Sequence, residues 1–249
     1  MHRFYIPPDR WDLDALTLDE GEAHHALDVL RLQVGQHAVV FNGEGEEATV
    51  QIVAASKRSV QLEAVELRLT APLPCQITLA QAIPKGKNMD LIVQKATELG
   101  AAAIVPLLSE RTVVQADEKD ATRKQQKWQQ VVIEAAKQCG QNWLPKVFRP
   151  QSLTDFFAAG HPFDLSLVAS LQPGALHPKQ VIEHAIKQLD GQRPKSVLVL
   201  VGPEGDLTPA EIELALKHQC YPITLGPIVL RVETAALYCL SILNYELLT

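Results

Sequence analysis

Hydrophobic positions in this 249-residue chain recur with two rhythms, and the change of rhythm divides it. Over residues 1–70, short stretches alternate apolar and polar positions, the pattern of strands with one buried face. Residues 37–41, 49–54 and 59–67 read as three such strands, with Asn42-Gly-Glu-Gly45 as a hairpin turn between the first two. Residues 22–32 read as a short helix, and Thr70-Ala-Pro-Leu-Pro74 as a linker. Beyond it, apolar runs at 76–81, 102–107, 165–169 and 197–201 alternate with helical patterns at 88–99, 121–138 and 178–189. That alternation predicts a parallel sheet with helices on both faces over residues 71–249.

Two stretches near the C-terminus concentrate the chemistry. Val197-Leu-Val-Leu-Val201 follows Ser196 and reads as a central strand covered on both faces. Gly202-Pro-Glu-Gly205 stops it, and Thr208-Pro209 with Glu211 predicts a capped helix start. In the second stretch, a further buried parallel strand is predicted to end at the turn Leu225-Gly226, which leads into a helix over 232–248. That helix is apolar nearly all round, which predicts burial in a core or an interface. In an open α/β sheet the ligand crevice lies outside the carboxyl ends of the strands, so two neighbouring turns would enclose a small molecule.

Charge qualifies this picture. The formal net charge is −6, but all the excess lies in residues 1–70, with 6 Lys/Arg against 12 Asp/Glu. Residues 71–249 hold 17 of each, and 119–149 holds seven basic residues against Asp120 and Glu134. Arg123, Lys124 and Lys127 would share a helix face, either solvated or phosphate-contacting. Cys75, Cys139, Cys220 and Cys239 form no C-x-x-C pair and read as reduced thiols of a cytoplasmic protein. No metal is implied: His24-His25 have no ligand partners at metal spacing. No apolar run reaches the roughly 18 residues that span a membrane, and Met1-His-Arg-Phe4 does not lead into the apolar core of a secretory signal. Asn42-Gly-Glu-Gly45 is not a nucleotide loop, because a strand pattern follows it where a helix should begin.

Gly202-Pro-Glu-Gly205 gains weight from Leu225-Gly226…Leu230-Arg231-x-Glu233-Thr234-Ala235, Lys95-Ala-Thr-Glu-Leu-Gly100 and Ser109-Glu-Arg111. Together they resemble the SPOUT, or trefoil-knotted, RNA methyltransferases, and within them the bacterial enzymes that methylate N3 of a uridine in 16S ribosomal RNA. Arg3-Phe4-Tyr5, His24-His25…Val29-Leu30-Arg31…Val34-Gly35, Gln81-Ala-Ile-Pro-Lys85 and Met89-Asp…Gln94-Lys95 extend the resemblance along nearly the whole chain. It implies a PUA-like β-barrel, RNA-binding domain over 1–70 and a knotted, S-adenosylmethionine-dependent domain over 71–249.

The resemblance also implies roles. Backbone at Ser170, Val201, Gly202, Glu204, Gly205, Leu225, Gly226 and Leu230 would hold the cofactor, with Val201, Leu225 and Leu230 sandwiching its ring. Uracil N3 is a weakly acidic imide, so its methylation needs the proton removed or the anion stabilised. Arg231 is the expected cation at the base, and Glu204 and Glu233 are candidate bases that could instead be structural. Arg3, Arg31, Lys85, Lys95 and Arg111 are the expected RNA contacts. A homodimer is implied, with the last helix against its twin, so that a charge at Leu240 or Leu243 would break it. A ribose 2′-O-methyltransferase and a catalytically silent RNA-binding relative remain open alternatives. The chain departs from the family pattern in three places. Asp206 stands where a glycine is usual, and Gln141 where an arginine often is. Ile228-Val-Leu-Arg-Val-Glu233 replaces Arg-Ile-Leu-Arg-Thr-Glu.

Overall fold

The computed structural model describes residues 1–56, 58–112 and 118–248. Two compact units divide the chain: Met1–Pro72 with Ile133–Leu144, and Leu73–Val132 with the chain from Pro145 onward.

The first unit contains β1 (Arg3–Tyr5), β2 (Thr17–Leu18), α1 (Glu20–His24), β3 (His37–Phe41), β4 (Glu46–Ser56) and β5 (Ser59–Leu69). They form one sheet in the order β1-β3-β4-β5-β2, with β1 parallel to β3 and the other pairs antiparallel. Phe4, Leu18, Val40, Val50, Ile52 and Val60 pack in its core. The hairpin at 42–45 forms as predicted: Asn42 Oδ1 accepts from the backbone of Glu44 and Glu46, and Phe41 pairs with Glu47. The predicted helix begins earlier, because Asp19 caps it by accepting from Glu22 N. It continues as a π-turn over His25–Val29 and ends at Arg31, whose φ of 56° is left-handed. His24 and His25 lie in mid-helix, with His24 Nδ1 2.7 Å from the exposed Asp28 carboxylate.

Periodicity did not place 142–144 in this unit, but the hydrogen bonds explain it. Trp143 Nε1 and Asn142 Nδ2 donate to Thr70, and Leu144 N donates to the carbonyl of Gly43 in the hairpin. Arg3 completes the arrangement. Its guanidinium donates to Glu47 Oε2 and Asn142 Oδ1 at 2.5 Å each and stacks 4.9 Å over the Phe41 ring. A guanidinium engaged on three sides and only 15% exposed is a brace for the domain, which corrects its expected place against RNA phosphates.

The second unit contains β6 (Gln76–Ala82), α2 (Asn88–Glu98), β7 (Ala101–Leu108), α3 (Glu118–Cys139, grouped with the first unit from 133), β8 (Lys146–Val147) and β9 (Gln151–Ser152). Then come α4 (Leu153–Ala158), β10 (Leu165–Ala169), α5 (Pro178–Gln188), β11 (Ser196–Val201), α6 (Pro209–Lys217), β12 (Tyr221–Ile223) and α7 (Val232–Leu247). All its strand pairs are parallel, in the order β12-β10-β11-β6-β7-β8, with β9 also on β7. β8 pairs at Ala103–Ile104 and β9 at Leu107–Leu108; between them stands Pro106, which has no N–H for a ladder. β11 is wholly buried from Val197 to Val201, as its apolar run requires, whereas β12 is a half-buried edge strand of three residues and not the buried strand expected.

β11 inserts between β10 and β6, and the chain then returns across β10 to lay β12 on its far side. The loops leaving β10, β11 and β12 therefore converge at one end of the sheet. Of the seven basic residues in 119–149, Arg123 and Lys124 pair with Asp120, Lys127 with Asp90, and Lys137 with Glu22 and Glu134. That pairing favours the solvated helix face over a phosphate patch. Cys75, Cys220 and Cys239 are buried and Cys139 is exposed, and all four are free thiols.

Burial raises the Glu47 carboxyl's proton affinity, but hydrogen bonds from Arg3 and Asn142 and the guanidinium charge outweigh it and hold the group below its usual range. A depressed folded pKa stabilises the fold above the unfolded pKa and loses that contribution as pH falls through the carboxylate range. Arg3→Ala is therefore expected to lose about 1–3 kcal/mol at neutral pH by urea denaturation, through the stranded carboxylate and amide. The loss should shrink near pH 3. A wild-type midpoint at pH 7 would show that the brace carries no stability.

Candidate active site

The turn after β11 is a short loop with its own internal bonds. Asp206 N donates to the Pro203 carbonyl at 2.9 Å, and Asp206 Oδ1 accepts from Leu207 N at 2.8 Å. Gly202 is required by close approach: a Cβ there would lie 3.0 Å from Leu207 N and 3.2 Å from Asp206 Oδ1. Thr208 then caps α6 in a full capping box with Glu211. The second oxygen of the buried Glu211 accepts from Glu110 N at 3.0 Å, which fastens the start of α6 to the segment leaving β7. Arg111, in that same segment, donates to the carbonyl of Gly205.

Gly205 does not line the cavity. A Cβ there would meet Arg111 Cδ at 3.3 Å, so this glycine gives room to an arginine and not to a ligand, contrary to expectation. Gly226 is the position where glycine is needed for conformation, at φ +109°. Thr224 Oγ1 braces its turn by accepting from Gly226 N at 3.3 Å. Ser170 N donates to the Ile223 carbonyl at 3.0 Å, which ties the end of β10 to the end of β12.

These three strand ends surround a cavity of about 570 Å³ including its open mouth. Ser170, Val201, Gly202, Glu204, Leu225, Gly226 and Leu230 all line it, as expected from the sequence. Ala169, Leu171, Asp206 and the exposed Ile228 and Val229 line it as well, and the sequence reading did not include them. The walls are mainly apolar, and among the described residues the charged side chains are two carboxylates, Glu204 and Asp206, with no lysine, arginine or histidine. A nucleotide with phosphates would be repelled here. A cationic nucleoside such as S-adenosylmethionine fits the charge, the apolar walls and the bare backbone at Gly226.

A second cavity of about 730 Å³ including its mouth adjoins the first and shares Glu204, Val229, Leu230 and Val232 with it. Arg231, Glu233 and Asn88 complete the lining. Arg231 is the N-cap residue of α7; it is exposed and makes no ion pair among the described residues. Glu204 Oε1 accepts from Lys85 N at 2.9 Å, and Glu233 Oε2 accepts from Asn88 Nδ2 at 3.2 Å. The structure thus gathers Arg231, Glu204 and Glu233 around one cavity. Asn88 was missed, although it opens a predicted helix beside the Met89-Asp90 motif.

The expected RNA contacts divide between the units. In the first, Arg31 is exposed on its left-handed turn. In the second, Lys85 is exposed, while Lys95 pairs with Glu98 at 2.8 Å. Arg111 is exposed apart from its bond to Gly205.

Residues 71–244 match the model of an RNA methyltransferase domain, and residues 18–65 that of an RNA methyltransferase PUA domain. Ribosomal RNA small subunit methyltransferase E of Bacillus subtilis is 32% identical over 99% of this chain and 97% of its own length. The protein of the same name from Aquifex aeolicus is also 32% identical, over 98% of this chain and 99% of its own. A methyltransferase from Legionella pneumophila, solved with bound S-adenosylmethionine, has a TM-score of 0.87 at 33% identity, covering 98% of this chain and 97% of that one. Ribosomal RNA small subunit methyltransferase E from Neisseria gonorrhoeae, bound to S-adenosyl methionine, has a TM-score of 0.85 at 28% identity, covering 99% and 98%. The chain belongs to this RNA methyltransferase family, a PUA domain joined to an RNA methyltransferase domain.

Proposed function

We propose that the protein methylates N3 of a uridine in small-subunit (16S) ribosomal RNA, in the cytoplasm, with S-adenosylmethionine as methyl donor. The observation that carries this reading is the pair of cavities with a common wall. The first suits a cationic nucleoside; the second presents a free arginine to whatever lies across that wall. When bound, the cofactor supplies a sulfonium methyl that is already activated, so the protein need only orient the acceptor.

Ser170, Val201, Gly202, Leu225, Gly226 and Leu230 would hold the donor through backbone groups and apolar contact. Arg231 would stabilise the negative charge that develops on the uracil carbonyls as N3 loses its proton. Glu204 and Glu233 each accept one hydrogen bond from the protein and keep further lone pairs, which is compatible with taking that proton or with fixing Lys85 and Asn88. Lys85, Arg111 and Arg31 are the exposed cations for RNA phosphates; Lys95 remains a candidate through its partial exposure. Mass-spectrometric mapping of methylated nucleosides in ribosomal RNA from cells with and without the gene tests the reading directly. An unchanged N3-methyluridine content would overturn it.

A homodimer is part of the same reading, but the face differs from the expected one. Leu240 and Leu243 are buried within their own unit, so a charge there would break the core. The exposed side of α7 carries Tyr238, Ser241 and Tyr245, with Tyr245 74% exposed, flanked by the half-buried Leu237 and Ile242. That stripe is the surface proposed to meet its twin, where an isologous contact would place each residue near its own copy.

Three outcomes are expected. Gly226→Val places a β-branched residue at φ +109°, at a cost of about 1–3 kcal/mol. It should weaken S-adenosylmethionine binding at least tenfold in calorimetry, whereas Gly205→Ala should keep it within about threefold. Equal effects from the two would displace the cavity. Arg231→Ala should hold cofactor affinity within a few-fold while turnover falls by roughly a hundredfold, the scale of one charge-stabilising group. Joint loss of both would make Arg231 a prop for the turn. The double variant Tyr238→Asp, Tyr245→Asp should run as a folded monomer in light scattering at micromolar concentration. A wild-type monomer under the same conditions would remove the dimer from the reading.

A further inference from the structure

We propose that Asp206 makes the cofactor cavity selective for charge: its carboxylate tightens binding of the sulfonium donor and adds little to binding of the uncharged thioether product. The proposal rests on the methyl-donor reading above and adds to it a residue that stands where the family pattern has glycine.

The backbone explains why the position is restrictive and how aspartate meets the restriction. Asp206 sits at φ +62°, a region that glycine enters freely and that short polar side chains tolerate. Its Oδ1 accepts from Leu207 N at 2.8 Å, so the side chain is held by its own turn and not by a cation. Among the described residues it makes no ion pair, and no basic side chain lines the cavity it faces. A glycine here would keep the turn and lose the charge. The substitution therefore changes electrostatics more than shape.

Methyl transfer changes the ligand by one unit of charge at one atom. The carbon–sulfur bond breaks, the methyl carbon bonds to N3, and sulfur keeps the electron pair as a neutral thioether. The proton that leaves N3 passes to a protein carboxylate or to solvent. Everything else in the ligand, including its ammonium, carboxylate and ribose hydroxyls, is common to donor and product. A carboxylate at the cavity wall thus interacts differently with the two through the sulfonium alone. In a partly solvated cavity that difference is about three- to thirtyfold in relative affinity.

The test is calorimetric titration of S-adenosylmethionine and S-adenosylhomocysteine into the wild-type protein, Asp206→Asn and Asp206→Gly. Asparagine keeps the oxygen that accepts from Leu207 N and tolerates the same φ; glycine prefers it. The expected result is a three- to thirtyfold weaker affinity for the donor in both variants, with the product's affinity changed less than twofold. Parallel loss of both ligands would overturn the proposal, because it would put Asp206 on the shared ammonium or ribose. Unchanged affinities would overturn it too. If asparagine prevents folding, seen as a lost thermal transition, the glycine variant alone decides between these outcomes. Failure of the wild-type protein to bind either ligand would reject the methyl-donor reading itself, a result distinct from an unchanged ratio.

Discussion

The turn that follows β11 is held from outside as well as from within, and the site's geometry depends on that. Glu204 is fixed by the backbone of Lys85, from the loop after β6, and the carbonyl of Gly205 by Arg111, from the segment after β7. Glu211, one helical turn on, is fixed by Glu110 in the same segment. Since β11 lies beside β6 and β6 beside β7, the two strands on that side of β11 each send a loop that clamps its turn. Side chains positioned this way inherit the rigidity of a buried parallel sheet, although they stand on loops.

That arrangement has a folding consequence. β11 can take its place only between strands that precede it, β6 and β10, which are separated in sequence by α2, β7, α3, β8, β9 and α4. Its five buried apolar residues supply the driving force, but the loop-closure entropy must be met before they can be buried. The two cavities are complete only when β12 and the turn at Gly226 have been laid across β10. Local signals cannot encode such a site. It is specified by the order of the strands.

The sequence was most legible where one physical cause acted alone. The capping box at Thr208 and Glu211, the apolar run of β11 and the glycine hairpin at 42–45 all stand where local chemistry placed them. It was least legible where a residue's partner is remote. Gly205 reads as a ligand glycine until Arg111 is seen against it, 94 residues away. Arg3 reads as a phosphate contact until Glu47 and Asn142 close on it. Periodicity marked Leu240 and Leu243 as apolar but could not say which of α7's apolar faces its own core would take. β12 was misjudged for the opposite reason: three residues at an edge carry too little pattern to distinguish a half-buried strand from a buried one.

Asp206 shows what a departure from a family pattern can mean once the backbone is known. A glycine at φ near +60° satisfies conformation and nothing else; an aspartate satisfies it at modest cost and adds a charge. The charge is not needed to hold the turn, since the Pro203–Asp206 bond and the Glu204 and Arg111 clamps already do that. A charge that the turn does not need, at the wall of a ligand cavity, is free to act on the ligand. There it faces a molecule whose charge changes during the reaction, and electrostatic preference for one end of a reaction is differential binding in its simplest form.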